Sequence, residues 1–179
     1  KPAPLPAGTV VGGYQIIKKL AAGGFGVVYL AEDEERRLIA VKEYLPVEFA
    51  TRMPDTTVRS RTEDLRDRYR WGLDRFIQEA RTLARFDHPS IVRVQSVFEF
   101  NNTAYMVMRF EEGINLAALL DRRGTLPEEE LLRILLPILD GLELVHKAGF
   151  IHRDIKPDNI HIGDDGRTVL LDFGSARQA

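Results

Sequence analysis

His152-Arg153-Asp154-Ile155-Lys156-Pro157-Asp158-Asn159, followed downstream by Leu171-Asp172-Phe173-Gly174, is the stretch that decides how this chain folds and what it does. Its residue types suit the transfer of a phosphoryl group, a reaction that asks mainly for charge neutralisation and positioning. Asp154 supplies a carboxylate to orient an attacking hydroxyl, and Lys156 a cation near the transferring phosphate. Asn159 and Asp172 supply the amide and carboxylate oxygens that magnesium prefers.

The two motifs, in this order, resemble the catalytic loop and the metal-binding loop of the protein kinase family. The lysine that follows Asp154 by two positions resembles the Ser/Thr members. A chance polar loop beside an unrelated Asp-Phe-Gly turn is the bland alternative, and two long motifs at matching spacing disfavour it. The resemblance implies an α+β, protein-kinase-like fold. An antiparallel β-sheet N-lobe with one main helix precedes a partial, mostly helical C-lobe. ATP and Mg2+ are the implied cofactors, and protein Ser/Thr hydroxyls the implied acceptors.

Upstream, Leu20-Ala-Ala-Gly-Gly-Phe-Gly-Val-Val-Tyr29 resembles the family's glycine-rich loop. Glycines let the backbone approach phosphates without a Cβ clash. A run of this kind standing alone is more often a hairpin turn. The loop departs from the family pattern at Ala21, while Gly23 and Gly26 match it; Gly24, Phe25 and Val28 complete the implied nucleotide contacts. Ala40-Val41-Lys42 resembles the strand with the phosphate-anchoring lysine. Glu79 shares the apolar stripe of its helix with Phe76 and Leu83, and a carboxylate on that face needs a cation. The resemblance names Lys42 as that cation, which makes Lys42 and Glu79 catalytic along with Asp154 and Lys156.

Met106-Val107-Met108-Arg109-Phe110-Glu111 resembles the hinge that grips adenine. Met108 would be the gatekeeper, and the backbones of Arg109 and Glu111 would bond the purine edge. Many relatives carry an acidic residue at the position of Arg109. Asn115 is placed either to meet the ribose or to cap a helix. Val28, Ala40 and a residue near Ile162 would wall the adenine, or serve as ordinary core.

Residues 1–13 read as an extended leader. Tyr14–Ala21, Val27–Glu32 and Leu38–Tyr44 read as strands from their β-branched and apolar content. Pro46–Asp74 reads as an irregular insert ending in a charged helix, and it resembles a group of bacterial members of the family. Its arginines form either a solvated face or a regulatory handle, with Trp71 as an anchor. Phe76–Phe86 is helical by periodicity and stops before Pro89. Asn101-Asn102-Thr103 joins two strands as a hairpin. Asn115 and Gly124 bracket one helix. Thr125-Leu-Pro-Glu128 is a capping-box pattern for another, running from Leu126 to about Lys147. The expected organisation is an N-lobe over residues 14–110, with the insert at 46–74, and a hinge with a truncated C-lobe over residues 111–179.

Of 179 residues, 44% are apolar and 29% charged, the balance of a globular domain. A net charge of −2 gives no basic field for nucleic acid. The absence of cysteine excludes disulfides and thiol chemistry and fits a cytoplasmic protein. No run is long and apolar enough to span a membrane; the parent protein remains open to anchoring elsewhere. In the family an activation segment and further helices follow Asp-Phe-Gly, so the stretch reads as a truncated catalytic domain. A non-catalytic, pseudokinase-like nucleotide-binding module is the alternative. A small-molecule kinase of the aminoglycoside phosphotransferase type is a third reading, and Arg153 with Lys156-Pro157 argues against it. On the long helix, Leu131, Leu132, Ile134, Leu135, Leu136, Ile138, Leu139, Leu142 and Val145 cover roughly 200°. That exceeds the stripe needed to pack on one layer, so a homodimer through the exposed apolar face of helix 126–147 is expected.

Overall fold

The computed structural model describes residues 1–171 and the backbone of residues 177–178; Asp172, expected as a magnesium ligand, lies outside the described residues. The chain forms two compact units: Lys1–Thr82 with Val94–Phe110, and Leu83–Arg93 with residues 111–179. The class is α+β.

The first unit runs β1 (Val10–Val11), β2 (Tyr14–Ala22), β3 (Gly26–Glu32), β4 (Leu38–Tyr44), β5 (Ala50–Arg52), β6 (Val58–Ser60), α1 (Arg66–Leu83), β7 (Val94–Phe100) and β8 (Thr103–Arg109). Six of the strands make one antiparallel sheet in the order β1-β2-β3-β4-β8-β7. Asn101 and Asn102 take positive φ, 54° and 57°, which is the backbone a two-residue hairpin turn demands. Paired residues share a face, so Val28, Lys42 and Met106 stand on one side, as do Leu30, Ala40 and Met108. Tyr29, Val41, Tyr105 and Val107 fill the other side and are fully buried.

Residues 1–13 are tied to this unit: Leu5 is buried in the core, and β1 pairs with β2 through a tight turn at Gly12 and Gly13. Proline deprives Pro2, Pro4 and Pro6 of donors, but Leu5 retains its N–H and donates it to the Tyr29 hydroxyl at 2.9 Å. The insert is likewise ordered. It opens as the hairpin β5–β6, and its charged helix and the expected helix at 76–86 are one element, α1. Tyr69, Leu73, Phe76, Ala80 and Leu83 continue one apolar face across Gly72, so nothing interrupts the helix there. It ends at Leu83 rather than Phe86.

The second unit holds β9 (Gly113–Asn115), α2 (Leu116–Arg123), α3 (Glu128–Lys147), β10 (Phe150–Ile151), β11 (Ile160–Gly163), β12 (Thr168–Leu170) and β13 (Arg177–Gln178). The stretch Leu83–Arg93 belongs here. Leu170 N–H donates to Ser90 O at 2.8 Å, and Val92 N–H donates to Leu170 O at 3.0 Å. Asn115 caps α2 by accepting from Ala118 N–H at 2.8 Å, and Gly124 ends it at φ 76°. The capping box at Thr125 is not formed. Pro127 disfavours helical backbone at Leu126, so α3 starts after the proline and no side chain caps it. Three glutamates in its first turn complement the helix dipole instead. Ile134, Ile138, Leu142 and Val145 are buried, which narrows the exposed arc to Leu132, Leu136 and Leu139.

Candidate active site

Strand alternation gathers the candidate residues of the first unit on one face of its sheet. Lys42 is half-buried, with Val28 and Met106 as its cross-strand neighbours. Ala40 sits opposite Leu30 and Met108, and Ala21 opposite Val28. Leu30, and Met106 beyond its place in the hinge stretch, carry no sequence signal of their own except the period-two rule, which places them on this face. Arg109 closes β8 and is exposed.

The glycine-rich turn shows two kinds of glycine. A Cβ added at Gly23 or Gly24 meets nothing within 4 Å, so their backbone stands open to a ligand. A Cβ at Gly26 would lie 2.4 Å from the Glu43 carbonyl oxygen, so this glycine serves strand packing. Gly23 N–H donates to Gly26 O at 2.9 Å and closes the turn. Phe25 at the tip is 71% exposed.

α1 is seated on the Lys42 side of β4 through Tyr44, whose ring lies 5.5 Å from Tyr69 and 5.8 Å from Phe76. Gly72 permits this approach, since a Cβ there would meet the Tyr44 hydroxyl at 2.1 Å. Glu79 follows Phe76 by one turn and lies 4.0 Å from Arg75. Helix and lysine strand are therefore tied together two residues from Lys42 itself.

In the second unit the loop after β10 gathers Asp154, Lys156 and Asn159. His152 is buried and accepts the Asp154 N–H on Nδ1 at 3.1 Å. Arg153 takes a left-handed φ of 72°, which costs a non-glycine residue conformational energy and turns the chain sharply before Asp154. Asn159, 8% exposed, donates from Nδ2 to the Asp154 carbonyl at 2.9 Å and to its carboxylate at 3.4 Å. Its Oδ1 remains as an acceptor of the type magnesium uses. Lys156 Nζ lies 3.6 Å from the Asp154 carboxylate. Among the described residues no three His, Asp or Glu side chains gather as a metal cluster.

Glu111 is half-buried and paired with Arg167. Asn115 uses its Oδ1 as the α2 cap, and its neighbour across the strand pair is His161. Ile162 lies in β11 opposite Ile114.

The family model for the protein kinase domain matches residues 14–179. The chain is similar to the probable serine/threonine-protein kinase pknA2 of Bifidobacterium longum, 36% identical over 175 residues, which make up 97% of this chain and 21% of that protein. It is also similar to the serine/threonine-protein kinase PknA of Nostoc sp., 36% identical over 172 residues, covering 93% of this chain and 28% of the relative. A solved structure described as "PpkA-294 apo form" superposes with a TM-score of 0.90 at 40% identity, over 96% of this chain and 62% of that one. The chain thus spans between a fifth and a third of the length of these curated relatives.

Proposed function

The chain belongs to the protein kinase family, and from that premise we propose that it carries ATP- and magnesium-dependent transfer of a phosphoryl group to protein Ser or Thr hydroxyls. In this reading the bond between the γ-phosphorus and the β–γ bridging oxygen of ATP breaks. A new bond forms to the acceptor oxygen, ADP leaves, and Asp154 receives the hydroxyl proton. Lys156 offsets negative charge on the transferring group. Lys42, oriented by Glu79, meets the α- and β-phosphates, with the backbone at Gly23 and Gly24 beside them. Met108 and the backbones of Arg109 and Glu111 take the adenine. Asn159 and Asp172 would hold magnesium, which supplies charge neutralisation at the phosphate oxygens when bound.

The observation that carries the reading is the loop of the second unit, where Asn159 holds the Asp154 backbone carbonyl and Lys156 lies beside the Asp154 carboxylate. Titration of a fluorescent ATP analogue tests it. Binding should saturate and tighten with magnesium. Lys42→Ala should weaken it by about tenfold or more, the scale of a charge-assisted contact to phosphate. Asp172→Asn should remove the magnesium effect. Equal affinities for wild type and both variants would refute the assignment.

The same chain should self-associate through α3. Leu132, Leu136 and Leu139 are 44%, 55% and 58% exposed and form one stripe, which a two-fold pairing buries from both copies. Light scattering after size exclusion should report a dimer at tens of micromolar (roughly the range of a modest interface) and a monomer for Leu136→Glu. A wild-type monomer would end this idea.

A further inference from the structure

Glu43 follows Lys42 directly on β4, so its side chain points to the opposite face, where it is 0% exposed. A carboxylate buried there is costly unless charge and hydrogen bonds replace water. Three groups replace it. Tyr29 donates its hydroxyl to Oε1 at 2.9 Å, Tyr105 donates to Oε2 at 2.6 Å, and Arg52 Nη2 donates to Oε1 at 2.5 Å.

Arg52 comes from the insert hairpin, and its side chain is only 7% exposed. Its other nitrogens are also engaged, Nε with Ala3 O at 2.7 Å and Nη1 with Thr56 O at 2.9 Å. Burial opposes the guanidinium charge, but the bond to Glu43 and its attraction outweigh that and raise the pKa. Burial first, and then the charge of Glu43, push Tyr29 and Tyr105 upward, so both phenols stay protonated donors.

The segment between Glu43 and Arg52 also hydrogen-bonds to the glycine-rich turn at Gly24 and Phe25. Leu45 N–H donates to Phe25 O at 2.9 Å, and Val47 N–H donates to Gly24 O at 3.0 Å. Fixing Glu43 therefore fixes both the strand that presents Lys42 and the backbone that supports the turn.

We propose that the Glu43–Arg52 ion pair is a positioning device for the phosphate-binding side of the nucleotide site, through which the insert and the N-terminal segment at Ala3 act on Lys42 and on the turn at Gly24. This rests on the nucleotide reading above. Neither residue touches the nucleotide; both act through the groups that do. The adenine-facing residues Ala40 and Met108 lie further along the sheet, so loss of the pair should be felt by phosphates and not by the base.

The test compares the affinities of magnesium-ATP and of adenosine by calorimetry. Arg52→Met should raise the ATP Kd by about tenfold while adenosine stays within about twofold, the scale of one lost charge-assisted bond. Arg52→Lys should restore part of the difference. Because Arg52→Met strands a buried carboxylate, the deciding variant is Glu43→Gln/Arg52→Met, which removes both charges and should show the same selective loss with a folded circular-dichroism spectrum. ATP binding at wild-type strength in the double variant, or equal weakening of ATP and adenosine, would overturn the proposal. A wild type that binds neither ligand would remove the nucleotide reading itself, and the proposal with it.

Discussion

Asp154→Asn should leave the affinity for magnesium-ATP nearly unchanged while phosphoryl transfer falls by roughly two to four orders of magnitude, the usual contribution of a positioned acid–base group. The substitution is isosteric and removes only the carboxylate's charge and basicity. The loop should survive it, because the short bond from Asn159 reaches the backbone carbonyl at position 154, at 2.9 Å, and the side-chain contact is the longer one at 3.4 Å. The anchoring bond of His152 likewise takes the backbone N–H of Asp154. Lys156 loses its partner at 3.6 Å, but both side chains are roughly half exposed, so water replaces the interaction at little cost to stability. Single-turnover transfer of labelled phosphate from ATP to a basic protein measures the effect, on this chain or on a longer protein that contains it. A residual rate within about tenfold of wild type would show that Asp154 is not the group that takes the proton.

What was legible in the sequence was legible because local chemistry decides it. The αL pair at Asn101 and Asn102, the cap at Asn115 and the stop at Gly124 are each settled within a few residues. The loop from His152 to Asn159 is equally local, with bonds that reach only two to five residues along the chain. The insert is the opposite case. Arg52 reaches back to Ala3 and Glu43, and Val58 N–H donates to Asn101 O at 2.8 Å, so its order comes from distant segments. Nothing in the wording of residues 46–74 signals those contacts, and a polar, arginine-rich stretch reads as a solvated one. Glu43 is hidden in the sequence for the same reason. A glutamate beside a lysine on a strand suggests an exposed edge, and only the alternation of faces, combined with tyrosines from two other strands, reveals a buried carboxylate. At Thr125 a local signal misled, since Pro127 moved the helix start past the box.

Gly26→Ala should destabilise the chain by about 1–3 kcal/mol, the range of an overpacked site, whereas Gly23→Ala should leave stability within about 0.5 kcal/mol. The two glycines lie in one turn, yet their surroundings differ in kind. The added methyl at position 26 would sit 2.4 Å from the Glu43 carbonyl oxygen, which is backbone and has no rotamer to move into. Relief requires β3 and β4 to separate at their paired ends, Gly26 opposite Tyr44, and that pulls on the bond from Leu45 N–H to Phe25 O. At position 23 the methyl enters space with no protein atom within 4 Å, so folding does not register it. A ligand should register it, because that space is where a phosphate would approach the backbone N–H groups. Thermal unfolding followed by circular dichroism separates the outcomes. Gly26→Ala should lower Tm by about 2–4 °C for each kcal/mol lost, and Gly23→Ala should keep Tm while weakening ATP more than adenosine. Equal Tm losses in the two variants would mean that the whole turn is a packing element and that the open face at Gly23 is not a phosphate site.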